Sequence, residues 1–126
     1  MEIYRAGEDY LKAIYILQMN YGIVRSMDVV RMLNVSKASV SRAIKLLRQG
    51  GFLTMDEDKN LFLTPSGSQI AEQIYDKYRV LTSWLVHMGV DAETAQKDSC
   101  RMEHVISNIS VDVLKEWLRT NYSGSA

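Results

Sequence analysis

Residues 36–50, with the sequence SKASVSRAIKLLRQG, constrain the fold more than any other part of the chain. Ser36 is a suitable N-cap, because its hydroxyl can accept a hydrogen bond from an amide of the first helical turn, and Gly50 marks the helix end. Apolar residues recur at helical spacing and predict one buried face, formed by Val40, Ile44 and Leu47. The opposite face is small, hydroxylated and basic, and the segment contains no acid. This face predicts contact with a polyanion.

A shorter helix precedes this one. Ser26 is its predicted N-cap and Asn34 its predicted end. Its buried side comprises Val29, Val30, Met32 and Leu33. Two helices joined by a turn of about three residues predict a helix-turn-helix. In that motif the second helix enters the major groove of duplex DNA, with its N-terminal residues against the base edges.

A β-hairpin is predicted directly after this motif, over residues 52–64. Residues 52–55 and 61–64 form its short strands, and a polar turn over residues 56–60 joins them. A hairpin at this place is a wing. Its tip is acidic, and only Lys59 suits a phosphate contact, so tight DNA contact is not expected there.

Three further helices are predicted from capping and periodicity. Thr64 caps a long helix over residues 65–88, with a proline at the first helical position. Asp91 caps a helix that ends near Val105, and Ser110 caps the last helix.

The predicted fold class is therefore mainly α with a small β-hairpin wing. Residues 1–64 form a winged helix-turn-helix domain, and residues 65–126 form a long linking helix and further helices. The 126 residues are 47% hydrophobic, which suffices for a hydrophobic core without stabilising cross-links. The single cysteine excludes an internal disulfide. No apolar run approaches the roughly 20 residues of a membrane span, and the N-terminus lacks a signal pattern. We therefore expect a cytoplasmic protein with no membrane association.

Charge is distributed unevenly along the chain, although the net charge is zero. Residues 21–51 carry one acid, Asp28, against six basic residues, which are Arg25, Arg31, Lys37, Arg42, Lys45 and Arg48. The segment is therefore +5 and the remainder −5. This asymmetry is typical of a DNA-binding module joined to a region that dimerises or that senses a cation. A winged-helix adaptor for proteins is the alternative, and the basic segment argues against it.

Three stretches and the order of elements resemble the diphtheria toxin repressor and manganese transport regulator family. The stretches are RSMDVVRMLNVSKASVSRAIKLLRQGGFL, LTPSG and GVDAETAQKDSCRMEHVIS. The resemblance extends from about Glu8 to about Ser110, and the C-x-x-E-H motif is its most specific part. It implies a dimeric repressor that binds its operator when a divalent transition metal ion, such as manganese or iron, is bound. It also implies the short form, without a C-terminal SH3-like domain.

The resemblance implies four metal ligands, which are Asp9, Cys100, Glu103 and His104. Their thiolate, carboxylate and imidazole groups suit a transition ion. The last three are spaced i, i+3 and i+4, so one helix face would present them together. Lys12 departs from the family pattern, because a second carboxylate is usual there. Tyr78 stands where a histidine is usual.

Three alternatives for this site stay open. The four ligands bind one ion with Lys12 turned outward. Alternatively, the Lys12 ammonium replaces the ion by pairing with Asp9 or Glu103, which gives a regulator without metal dependence. In the third alternative the residues make ordinary helix contacts. An enzyme is not predicted, because Cys100 and His104 have no third orienting residue and no oxyanion feature.

The predicted DNA contacts are Arg25, Ser26, Lys37, Ser39, Ser41, Arg42 and Lys45. Arg42 could pair with a guanine or hold a phosphate, and the sequence does not separate the two. One helix-turn-helix covers little DNA, so we expect a homodimer on a palindromic operator. The predicted partner surface comprises Val105, Ile106, Ile109, Leu114, Trp117 and Leu118, and its alternative is packing against the long helix.

Overall fold

A computed structural model describes residues 5–121 of the 126-residue chain. Within this range the chain forms six helices and a two-stranded hairpin. They are, in chain order, α1 (Arg5–Tyr21), α2 (Ser26–Leu33), α3 (Lys37–Gln49), β1 (Leu53–Met55), β2 (Leu61–Leu63), α4 (Pro65–His87), α5 (Ala92–Met102) and α6 (Asn108–Asn121). The predicted fold class is confirmed. No helix of residues 5–121 is long and apolar enough to cross a membrane.

The chain divides into two compact units between Glu72 and Gln73, within α4. The predicted domain boundary, at residue 64, falls just before the start of the same helix. The first unit contains α1, α2, α3 and the hairpin, together with the first residues of α4. The second contains the rest of α4 with α5 and α6.

One apolar core holds the first unit together. α1 contacts α2, α3 and β2, and α3 contacts β1. The buried core residues include Leu11, Ile14, Leu17, Val24, Val29, Val40, Ile44, Leu47, Phe52, Leu53, Leu61 and Ala71. The predicted inner face of α3 lies in this core, so the hydrophobic effect determines which side of α3 is presented to solvent.

Two of the predicted caps in the helix-turn-helix are confirmed. Ser36 is the N-cap of α3, and its Oγ accepts a hydrogen bond of 3.1 Å from the Ser39 N–H. Asn34 ends α2 in the left-handed region, with φ of 54°. Asn tolerates this conformation better than most residues, because its short side chain can bond locally.

Two other predicted caps are wrong. Arg25, not Ser26, is the N-cap of α2, because the Asp28 carboxylate accepts a hydrogen bond of 2.8 Å from the Arg25 N–H. Ser107, not Ser110, caps α6, since its Oγ accepts a hydrogen bond of 3.1 Å from the Ser110 N–H. Both helices contain several residues able to cap, and the backbone entry angle selects among them.

The hairpin lies directly after α3, as predicted. Its strands pair Leu53 with Leu63, Thr54 with Phe62, and Met55 with Leu61. The segment before α2 joins this hairpin, because the Leu61 N–H donates to the Val24 carbonyl over 2.8 Å. The wing is therefore joined to the helix-turn-helix twice: by the chain that leads from α3 and by this hydrogen bond to the segment before α2.

The start of α4 is anchored on Gly51 and Phe52, which lie between α3 and β1. Thr64 is the N-cap, as predicted: its Oγ1 accepts from the Gly67 N–H over 3.2 Å and donates to the Gly51 carbonyl over 2.6 Å. Gly67 approaches the backbone closely, since a Cβ on it would lie 2.1 Å from the Phe52 carbonyl oxygen. Only glycine fits this position without a shift of the backbone.

In the second unit, side chains of α4 contact α6 and the turn before it. Lys115 forms an ion pair with Asp76, and the rings of His87 and Trp117 meet edge to face at 5.1 Å. The Lys77 Nζ donates to the Ile106 carbonyl over 2.8 Å. Buried apolar residues of this unit are Ile74, Val80, Leu81, Ala95 and Val111.

Gly67→Ala should lower the free energy of unfolding by about 1–3 kcal/mol, because the added methyl overlaps the Phe52 carbonyl. An exposed helical glycine would respond in the opposite direction, with a gain near 1 kcal/mol. Urea unfolding followed by circular dichroism measures the change. Ser66→Ala, at an exposed position one residue away, is the control and should stay within about 0.5 kcal/mol of wild type. Equal or greater stability of Gly67→Ala would contradict the packing described here.

Candidate functional site

The exposed face of α3 carries most of the predicted DNA contacts. Lys37, Ser41, Arg42 and Lys45 are exposed, whereas Ser39 is half-buried. The buried face of the same helix holds the core residues described above. The side chains of this face lie along about three turns of helix with no acidic residue among them, which makes it suitable for a phosphate backbone.

Hydrogen bonds link the three residues that follow one another along this face. The Ser36 hydroxyl donates to Ser39 Oγ over 2.9 Å, and the Arg42 guanidinium lies 3.5 Å from the same oxygen. Ser39 therefore bridges the N-cap of α3 and the guanidinium one turn along.

Arg25 has a partner within the first unit. Its guanidinium donates to the Asp58 carbonyl at the wing tip, and its own N–H is bonded to Asp28. Ser26 is half-buried in the first turn of α2. The structure thus places Arg25 between α2 and the wing, a structural role that the sequence analysis missed because the partner is 33 residues away.

The wing tip is organised by the Asp56 carboxylate. Asp56 Oδ1 accepts from the N–H groups of Asn60, at 2.8 Å, and Asp58, at 2.9 Å, and Oδ2 accepts from the Asn60 side chain at 3.0 Å. The hydrogen bond from the Asn60 backbone is the largest cause that lowers the pKa of Asp56 below its ordinary value of 3.8, and the nearby Arg25 charge contributes less. Lys59, the one basic residue of the tip, adopts the left-handed region with φ of 65°.

A second candidate site follows the end of α5. The predicted extension of this helix to Val105 is wrong: α5 ends at Met102, and Glu103 is its C-cap. The Glu103 side chain has no exposed surface, and that of His104 is 3% exposed. His104 Nε2 lies 3.7 Å from Glu103 Oε2. The structure therefore brings a carboxylate and an imidazole together in a buried setting.

Cys100 lies in a different environment. It is exposed on α5, whereas Glu103 is fully buried. Glu103 still has right-handed helical dihedrals, with φ of −57° and ψ of −25°, and its N–H donates to the Ser99 carbonyl, so Cys100 and Glu103 keep helical spacing. His104 follows in the turn, and the presentation of all three residues on one face stays a prediction.

The remaining residues of the predicted site lie on other helices. Asp9 and Lys12 are half-buried in α1, one turn apart. Tyr78 is half-buried in α4, where its ring stacks on Tyr75 with centroids 6.3 Å apart.

The donor set of the second site fits a divalent ion. A buried carboxylate and an imidazole are ligands that transition ions accept, and attraction to a cation is strong where water is excluded. Ser99 Oγ, one turn before Glu103, is buried without a hydrogen-bond partner in the described part of the chain. A buried hydroxyl of this kind suits an outer position around a bound ion. No sequence pattern marked Ser99, since its burial depends on the packing of α5.

As the Asp56 pKa is depressed in the folded chain, its hydrogen bonds should stabilise the wing fully above pH 3.8. This contribution should disappear as the pH falls through the lower pKa of the folded state. NMR titration of the Asn60 amide proton should show a midpoint below 3.8. Asp56→Asn should abolish this transition while the loop persists, since an amide oxygen can still accept. A midpoint at or above 3.8 would contradict the assigned hydrogen bonds.

Two family models match the chain, and together they span almost all of it. "Iron dependent repressor, N-terminal DNA binding domain" matches residues 2–61, and "Iron dependent repressor, metal binding and dimerisation domain" matches residues 64–121. The transcriptional regulator MntR of Salmonella typhimurium is 31% identical over 105 residues, which are 83% of this chain and 67% of that protein. The HTH-type transcriptional regulator MntR of Lysinibacillus sphaericus is 31% identical over 105 residues, or 83% and 76% of the two chains.

Solved structures with the same fold are also similar in sequence. The structure of the manganese regulator SloR matches with a TM-score of 0.79 and 27% identity over 90% of this chain. The crystal structure of T. acidophilum IdeR matches with a TM-score of 0.79 and 27% identity over 94% of this chain. The chain spans about half the length of these solved proteins, 53% and 55%.

Proposed function

Because the chain belongs to the iron dependent repressor family, with its DNA binding domain and its metal binding and dimerisation domain, we propose that it is a transcriptional repressor that binds duplex DNA in response to a divalent metal ion. The observation that carries the proposal is the basic outer face of α3, held outward by a buried apolar inner face. The proposal gives the protein no enzymatic activity and a cytoplasmic location, where its DNA is found.

In this proposal α3 enters the major groove. Lys37, Ser41, Arg42 and Lys45 contact the DNA directly from its exposed side, and Ser39 does so from a half-buried position. Arg42 pairs with a guanine edge or holds a phosphate. Arg25 and Ser26, at the start of α2, contact the DNA sugar–phosphate backbone, and the N–H groups of the first turn of this helix also suit a phosphate.

The ion, manganese or iron in kind, is held by Asp9, Cys100, Glu103 and His104. The assignment of Glu103 and His104 as ligands is supported by the burial of their carboxylate and imidazole groups. The assignment of Asp9 and Cys100 is supported by the family motif. When bound, the ion would supply a positive charge that the ligand atoms of these residues coordinate. Lys12 and Tyr78 are departures from the usual ligands, so we expect fewer protein ligands than in relatives with a second carboxylate and a histidine. The comparisons do not favour the alternative of a regulator that has lost metal dependence.

A homodimer on a palindromic operator completes the proposal. Val105 and Ile109 are 80% and 77% exposed, and Val113 is also exposed one turn further along α6. Ile109 and Val113 lie one turn apart on the same face of α6, and Val105 lies in the turn before it, so these exposed apolar side chains offer a surface that a partner would cover. Ile106, Leu114, Trp117 and Leu118 are half-buried beside them.

Arg42→Ala should lower DNA affinity about tenfold or more and reduce the salt dependence of binding, because a charged contact to DNA is lost. Fluorescence anisotropy measures both, on duplexes selected from a random library in the presence of Mn²⁺. Arg119→Ala is the matched control, since Arg119 is exposed on α6 and pairs with Glu116. If Arg42→Ala and Arg119→Ala bind alike, α3 is not the docking helix.

Glu103→Gln should weaken Mn²⁺ binding about 10–100-fold, because a charged ligand becomes a neutral amide. Mn²⁺ affinity is measured by the electron paramagnetic resonance signal of the free ion. Glu116→Gln, the same change on the exposed surface of α6, should leave the affinity unchanged. Equal Mn²⁺ affinity of wild type and Glu103→Gln would remove Glu103 from the ligand set.

A further inference from the structure

The segment between α5 and α6 carries Glu103 and His104 without the support of a regular helix. The Glu103 N–H still donates to the Ser99 carbonyl over 2.9 Å. The N–H groups of Val105 and Ile106 both donate to the Met102 carbonyl, each over 3.0 Å. These bonds close the turn on itself but join it to no other element.

Lys77 of α4 supplies a bond between this turn and a neighbouring helix. Its Nζ donates to the Ile106 carbonyl over 2.8 Å in a half-buried position. The two residues are 29 positions apart in sequence, so this bond ties the turn to a different helix.

We propose that Lys77 is a positioning residue for the metal ligands, which acts by fixing the turn that carries Glu103 and His104. This inference rests on the proposed metal-binding function. Lys77 touches the Ile106 carbonyl and acts on the ligands through the backbone. Residues that orient ligands in this way typically alter metal affinity about 10–100-fold when changed.

The sign of the effect separates positioning from simple electrostatics. If Lys77 acted only as a nearby positive charge, its removal would raise the affinity for a divalent cation, because repulsion between like charges would be lost. If it positions the turn, its removal lowers that affinity, since the ligands then lose their fixed geometry.

The ion pair of Lys115 with Asp76, the residue before Lys77, provides a matched control. It joins α4 to α6 without contacting the turn. Lys115→Met and Lys77→Met each remove one ammonium and keep an apolar stem. Both variants remove one tether of α4, but only Lys77→Met releases the turn.

The first test uses the metal-free protein and amide hydrogen exchange read by NMR. Lys77→Met should exchange about tenfold faster than wild type at the Val105 and Ile106 amides, whereas Lys115→Met should match wild type there. Lys77→Arg, which can still donate to the carbonyl, should restore protection. Unchanged exchange in Lys77→Met, or equal acceleration in Lys115→Met, would overturn the proposal.

The second test measures Mn²⁺ affinity on the same variants by the signal of the free ion. Lys77→Met should bind about tenfold or more weakly than wild type, Lys115→Met within about threefold, and Lys77→Arg near wild type. Higher affinity of Lys77→Met would overturn positioning in favour of electrostatics. If wild type itself binds no Mn²⁺, the proposed function fails, and the exchange measurement still decides whether Lys77 fixes the turn.

Discussion

The burial of one face of α3 is the interaction on which the rest of the structure depends. Val40, Ile44 and Leu47 lie in the core of the first unit with α1 and the hairpin, and each buried side chain of this size contributes about 1.5–3 kcal/mol. Since the helix has one buried face, its opposite face must meet solvent. The basic and hydroxyl side chains there are thus presented by the same packing that stabilises the unit.

The surroundings of α3 limit its freedom further. Ser36 sets its start, Gly50 its end, and Phe52 follows directly into the core. The wing is attached through the Val24 carbonyl and the Arg25 guanidinium, so it is held against the segment that leads into α2. Its tip carries exposed acids, whereas the outer face of α3 is basic, so the charge of the surface changes sign between α3 and the wing tip. Such a boundary restricts where a polyanion can lie.

Much of this arrangement could be predicted from the sequence, because it rests on local patterns. The period of α3, the cap at Ser36 and the entry to α4 at Thr64 depend on residues within one or two turns of one another, and each is confirmed. The caps at Ser26 and Ser110 were wrong because several residues nearby can cap, and only the path of the backbone chooses between them. The close approach of Gly67 to Phe52 is likewise a tertiary contact.

The candidate metal site was harder to predict for a related reason. Cys100 and Glu103 keep helical spacing, but α5 ends at Met102 and His104 lies in the turn that follows, so spacing alone does not fix the position of its imidazole. The burial of Glu103 and Ser99 and the bond from Lys77 to Ile106 arise from packing between elements. A motif can therefore name candidate ligands, but their support comes from residues that the motif does not contain.

The most direct test of the account is the affinity of the wild-type chain for selected duplex DNA, measured by fluorescence anisotropy over a salt series with Mn²⁺ and with a chelator. We expect binding that tightens when Mn²⁺ is added and weakens steadily as salt rises, since phosphate contacts by α3 release counterions. No binding at low salt under either condition would contradict the role of α3, and equal binding with and without Mn²⁺ would contradict the metal response.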